Sequence, residues 1–156
     1  INISYIVSNT KKAKGLKYGK LYGIPCDIIN LNTKLKFEMF INKLKNKNIS
    51  LICLAGYMKI LSKNFVSKFK KKILNIHPSL LPKYKGLDTF NRVLKSKDKI
   101  TGCTIHYVNE KLDSGKIILQ KKVLIESKDN IQKLKFKVQK QEYRAYSEAI
   151  YKIFAN

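Results

Sequence analysis

Arginine is nearly missing from this chain. Arg92 and Arg144 are the only two among 33 basic residues, and the other 31 are lysine. Acidic residues are scarce too, ten in 156, which leaves a formal net charge of +23. Proteins that read phosphates and base edges favour the planar guanidinium fork of arginine. A lysine, asparagine and isoleucine surplus without arginine is instead the mark of AT-rich coding spread over a whole surface. The lysines are dispersed in short clusters, at 11–14, 43–47 and 68–72, with no long basic tail. No specific nucleic-acid partner is therefore expected, although so basic a surface draws in anionic small molecules. There is no run of eighteen apolar residues, so no membrane-spanning helix is expected. The first residues lack the basic lead, apolar stretch and cleavage site of a signal peptide.

Cysteine is limited to Cys26, Cys53 and Cys103, far apart and without metal-ligand spacing. An odd count among apolar neighbours predicts buried free thiols in a reducing, cytoplasmic compartment and no metal site. Histidine occurs twice, as His77 and His106, so imidazole chemistry has few places to be. Three prolines and seven glycines leave little punctuation, and neither repeats nor a low-complexity linker break the chain. The 156 residues suit one domain, 1–156, large enough to enclose a core.

Apolar runs alternate with amphipathic stretches. Strands are expected at 2–7, 26–29, 50–55, 73–76, 102–108 and 116–125. Helices are expected at 11–22, 34–45, 62–69, 87–94 and 130–154, the second on the spacing of Leu35, Met39, Phe40 and Leu44. Strand–helix alternation in the first half predicts an α/β fold of Rossmann-like type, a mostly parallel sheet with helices on both faces. The last two strands are some eight residues apart, which also fits an antiparallel extension.

Two of the three prolines fall in Asn75-Ile76-His77-Pro78-Ser79-Leu80-Leu81-Pro82. Asn75 and His77 are two apart, which in a strand puts both side chains on one face. Pro78 biases His77 towards an extended backbone. An amide donor and an imidazole thus stand together at the carboxyl end of a short buried strand, where open α/β sheets bind ligands. A polar strand exit, with His77 capping a backbone group, fits the same residues. Glu110-Lys111-Leu112-Asp113-Ser114-Gly115 reads alone as a turn between strands. Leu54-Ala55-Gly56-Tyr57-Met58-Lys59-Ile60-Leu61 reads alone as a strand-to-helix connection with Met58 and Leu61 in the core.

Their order and spacing together resemble the phosphoribosylglycinamide formyltransferases, folate-dependent enzymes of purine synthesis. The likeness runs almost without gaps from Leu54 to Val123. It takes in Lys83-Tyr84-Lys85-Gly86-Leu87-Asp88-Thr89, Thr101-Gly102-Cys103-Thr104-Ile105-His106-Tyr107-Val108 and Leu112-Asp113-Ser114-Gly115. The Asn-x-His…Asp set is shared with methionyl-tRNA formyltransferase and formyltetrahydrofolate deformylase. The 78–82 stretch followed by Gly86-Leu87-Asp88-Thr89 favours the glycinamide enzymes.

The resemblance implies transfer of the formyl group of 10-formyltetrahydrofolate to the amine of phosphoribosylglycinamide, in a cytoplasmic monomer or homodimer. Asn75 would donate to the oxyanion, His77 would act as general acid/base, and Asp113 would hold a water and stabilise the imidazolium. The folate would lie against Met58, Lys59, Ile60 and Leu61, with Asn75 and the loop Asn109, Glu110, Lys111, Leu112 and Asp113 closing over it. Lys59 stands where the family commonly has arginine. The phosphoribosyl substrate would meet Met58, Pro78, Gln139 and Glu142; the last two also fit a solvated helix face. His106 matches a strand residue of structural or supporting character. The Leu81–Pro82 bond matches a cis peptide of the family. The resemblance also implies that the family's first strand, its phosphate-binding loop and its C-terminal strand pair have no counterpart here. A chain lacking them is expected to bind the phosphate ester weakly and turn over little.

Overall fold

The computed structural model describes residues 2–29, 33–70 and 72–155. Ile1, Lys71 within the third lysine cluster, and Asn156 lie outside the described residues. The chain divides into two compact units, Ile1–Ser50 and Leu51–Asn156.

In the first unit, β1 (Ile6–Ser8) and β2 (Cys26–Ile28) pair in parallel, as a strand–helix–strand segment requires. The intervening α1 (Leu16–Tyr22) is shorter than the expected 11–22 and ends at Gly23, whose φ of 65° is the left-handed C-cap that glycine adopts without strain. Gly19 lets this helix lie against β2: a Cβ there would sit 1.9 Å from the Cys26 sulfur. In α2 (Lys34–Asn46) the Thr33 hydroxyl accepts from the Lys36 N–H and caps the helix. Ile41 and Leu44 are buried on it, whereas Leu35 and Met39 are exposed.

The second unit holds a four-stranded sheet in the order β3 (Ile52–Leu54), β4 (Ile73–His77), β5 (Ile100–Tyr107), β6 (Ile117–Leu124). β3 and β4 are parallel and joined through α3 (Lys63–Lys68), capped by the Ser62 hydroxyl on the Phe65 N–H. β5 and β6 continue the sheet antiparallel, the extension that their short separation allowed. Among the described residues parallel pairing joins β1 to β2 and β3 to β4, and the four-stranded sheet is mixed. The nine-residue connection between β5 and β6 is too short for a parallel crossover. α4 (Thr89–Lys95) precedes β5, and α5 (Ile131–Phe154) closes the unit.

Leu134, Val138, Ala145 and Ala149 form one stripe along α5, all fully buried. They pack with Leu74, Val93, Cys103, Ile105 and Val123 into the core. Full burial of side chains such as Leu134 and Val138 stabilises by ~1.5–3 kcal/mol each. The Tyr146 hydroxyl donates to the Leu54 and Leu74 carbonyls, tying this helix to the strands that lead into the 58–61 connection and Asn75. No helix among the described residues is long and apolar enough to cross a membrane.

The cysteines depart from expectation. Only Cys103 is buried; Cys26 and Cys53 are exposed. Cys26 belongs to a two-stranded ribbon, and Cys53 to the outermost strand of its sheet, so neither has neighbours on every side.

Candidate active site

Antiparallel pairing of β4 with β5 sets Asn75 opposite His106 and His77 opposite Thr104. Directly opposed residues share a face of a sheet, so all four side chains lie on one face and the core-forming Leu74, Cys103 and Ile105 on the other. The register slips by one residue between the Ile105–Leu119 and His106–Ile117 pairs, which leaves Ile118 as an extra residue in β6. Such bulges re-aim side chains beside functional sites.

Asp113 reaches this face from the β5–β6 connection. Its Oδ2 lies 3.3 Å from His77 Nδ1 and accepts the Gly86 N–H at 2.8 Å. Its Oδ1 lies 3.8 Å from His106 Nε2. His77 and Asp113 are both buried. The second ring nitrogen of His77, Nε2, is 2.8 Å from the Tyr84 carbonyl. Both nitrogens of His77 therefore face oxygen atoms, Nδ1 the Asp113 carboxylate and Nε2 the Tyr84 carbonyl.

The two ring nitrogens of His106 have different partners. Its Nδ1–H points at the Tyr107 carbonyl, 2.8 Å away, so Nε2 is left as the acceptor facing the Asn75 amide at 3.4 Å. Burial holds the His106 pKa below its ordinary 6.5, against the pull of the Tyr107 carbonyl and Asp113. With one amide hydrogen directed at His106, the other is available to a ligand. Asp113 (φ 45°), Tyr84 (φ 58°) and Asp88 (φ 55°) are three of the four described non-glycine residues in the left-handed region. Backbone strain is thus gathered around the site, where packing and hydrogen bonds hold it. The Leu81–Pro82 bond is cis.

A stability test separates the role of His106. The unfolded ring takes up a proton near pH 6.5, before the buried ring does, so folding stability falls as pH drops from there through the folded value. Denaturant titrations between pH 7.5 and 5.5 are expected to show this loss in the natural chain and a shallower one in His106→Gln. Equal slopes would remove the assignment. Asp27, Asp98 and Asp129, held low by hydrogen bonds from lysine neighbours, contribute only at more acid pH.

The fold brings Asn75, His77 and Asp113 together. Pro78 follows His77 and is half-buried. Met58, Lys59 and Ile60 are exposed and Leu61 half-buried on the β3–α3 connection. Asn109, Glu110, Lys111 and Leu112 are exposed on the β5–β6 connection. The Asn109 side chain accepts from the Lys111 N–H and the Ser114 hydroxyl, which gives that loop a defined shape. Gln139 is exposed on α5, and Glu142 is half-buried one turn on, its carboxyl pKa raised by burial. Burial and then the nearby Glu142 charge push the Cys103 thiol up to about 12, which makes it inert. Sequence reasoning did not single out the Tyr84 carbonyl and the Gly86 N–H. A backbone group carries no signature in the side-chain alphabet; the only trace was Gly86 itself, whose φ of 79° favours glycine.

Comparison with known proteins gives a consistent picture. The family described as formyl transferase matches residues 1–150. Phosphoribosylglycinamide formyltransferase of Haemophilus influenzae is 43% identical over 148 residues, covering 92% of this chain and 70% of that protein. The trifunctional purine biosynthetic protein adenosine-3 of Gallus gallus is 40% identical over 152 residues, 95% of this chain but only 15% of the relative's length. Among solved structures, phosphoribosylglycinamide formyltransferase from Anaplasma phagocytophilum superposes with a TM-score of 0.89 at 38% identity, covering 96% of this chain and 72% of that one. The Streptococcus pneumoniae TIGR4 protein of the same name gives 0.91 at 29% identity, covering 99% and 88%.

Proposed function

The chain belongs to the formyl transferase family, and from that premise we propose that it transfers the formyl group of 10-formyltetrahydrofolate to the amine of phosphoribosylglycinamide, a step of purine synthesis. The observation that carries this reading is the buried His77–Asp113 contact beside Asn75, on one face of the sheet.

In the proposed reaction the amine nitrogen attacks the formyl carbon, and the carbonyl electrons move onto oxygen. Asn75, its amide oriented by His106, donates the free N–H to that oxyanion. Collapse of the intermediate breaks the bond from carbon to the folate nitrogen. The proton lost by the amine passes through His77 to that leaving nitrogen, so protons balance and tetrahydrofolate departs. Using Nε2 for this relay requires the ring to exchange the Tyr84 carbonyl for the reacting group. Asp113 stabilises the imidazolium at Nδ1 while the ring carries the transferred proton.

Exposed Met58, Lys59 and Ile60, half-buried Leu61 and the 109–113 loop supply the folate surface in this reading. Met58, Pro78, Gln139 and Glu142 serve the phosphoribosyl substrate. The whole 1–156 chain acts as one formyltransferase domain, in the cytoplasm, as monomer or homodimer. The test is consumption of 10-formyltetrahydrofolate by the purified chain with phosphoribosylglycinamide, with initiator methionyl-tRNA, and with no acceptor. Turnover that depends on the glycinamide substrate, however slow, is expected. Turnover only with the tRNA, or equal turnover without acceptor, would replace this reading with one of the other two folate activities.

A further inference from the structure

A row of three residues crosses the sheet directly behind the imidazole. His77 on β4 is opposite Thr104 on β5, which is opposite Gln120 on β6. Thr104 is fully buried, yet its hydroxyl spends none of its bonding on the core. It donates to the Ser79 carbonyl at 2.6 Å and accepts the Leu81 N–H at 3.0 Å and the Gln120 side-chain N–H at 2.9 Å. One donor and two acceptor positions are all a hydroxyl has, so this one is saturated. The Gln120 amide nitrogen also donates to the Leu81 carbonyl at 2.9 Å. Ser79, itself fully buried, extends the network through its hydroxyl to the Lys83 carbonyl at 2.6 Å.

The backbone groups bonded by the Thr104 and Gln120 side chains thus lie in the turn that follows His77. The far end of that turn carries the two backbone groups that hold the catalytic pair, the Tyr84 carbonyl on His77 Nε2 and the Gly86 N–H on Asp113 Oδ2. The geometry points to Thr104 and Gln120 as positioning residues, a polar lock that sets the 78–86 turn and through it the His77 ring. The inference rests on the formyl-transfer reading for its kinetic consequence but not for its structural one.

Three variants of the full chain decide it: Thr104→Val, of the same shape without the hydroxyl, Gln120→Met, without the amide, and Thr104→Ser, which restores the hydroxyl. The His77 ring resonances and the hydrogen exchange of the Leu81 amide are read by NMR in each. Thr104→Val and Gln120→Met are expected to shift the His77 resonances and to speed Leu81 exchange at least tenfold, and Thr104→Ser to return both. In formyl transfer, the first two are expected to lose at least tenfold in kcat with both KM values within twofold, and Thr104→Ser to stay within twofold of the natural chain. Unmoved His77 resonances, or a kcat loss that only follows the folded fraction, would overturn the lock. If Thr104→Val does not fold, Gln120→Met at its half-buried position decides alone. If the natural chain transfers no formyl group, the functional reading fails by itself, and the His77 and Leu81 readouts still accept or reject the lock.

Discussion

His77→Ala is expected to lower kcat for formyl transfer by ~10²–10⁴-fold, the range that a positioned general acid/base contributes. The reaction needs one proton to leave the attacking amine and one to reach the folate nitrogen. Histidine is the side chain whose ordinary pKa suits both transfers near neutrality, and the other histidine, His106, has both nitrogens committed, to the Tyr107 carbonyl and to Asn75. Losing the imidazole also leaves the Asp113 carboxylate buried with only the Gly86 N–H as a close donor. Breaking a buried pair from one side costs ~3–5 kcal/mol of stability. The rate is therefore compared at matched folded fraction, and His77→Ala is paired with His77→Ala/Asp113→Asn, which removes the stranded charge. The double variant is expected to regain stability without regaining rate. Activity within tenfold of the natural chain in a folded His77→Ala protein would remove His77 from the chemistry.

Asn75→Leu is expected to lower kcat by ~10²–10³-fold, the usual loss when one oxyanion donor is removed, with KM for both substrates little changed. The amide does its work only once negative charge has developed on the formyl oxygen, so the loss falls on the transition state and not on ground-state binding. Leucine keeps the volume and removes the donor. It also leaves His106 Nε2 without its amide partner, a cost of ~1–3 kcal/mol in stability. Steady-state kinetics over both substrates, together with a denaturation curve, separate the two effects. A rise in KM at constant kcat would make Asn75 a binding group only.

Much of the architecture was legible along the chain because it depends on local chemistry. Thr33, Ser62 and Asn130 each stand before an amphipathic run and cap it. Gly23 ends α1 because its left-handed backbone suits glycine. Boundaries were less legible where tertiary contacts choose them. The expected 11–22 helix forms only from Leu16, and Thr101, outside the expected 102–108 strand, pairs with Val123 because β6 offers it a partner. Burial was the least legible property: apolar neighbours of Cys26 and Cys53 predicted interior thiols, but sheet order decides which strands lie at an edge.

The candidate site divides the same way. Asn75 and His77 were readable as a pair because a strand repeats every two residues, so their shared face follows from spacing alone. The family was readable too, because the order of its short motifs is a property of the string. That Asp113, thirty-six positions beyond His77, lies 3.3 Å from its ring follows from a turn between antiparallel strands and from no local pattern. The register that sets His106 against Asn75 and Thr104 against His77 is likewise invisible in one dimension, since a slip of one residue would turn each of them to the other face. Residue types and their local periods settled which groups were available for chemistry. Strand order, register and the backbone of the 78–86 turn decided which of them meet, because hydrogen bonds and proton transfers act over about 3 Å and only packing brings distant parts of a chain that close.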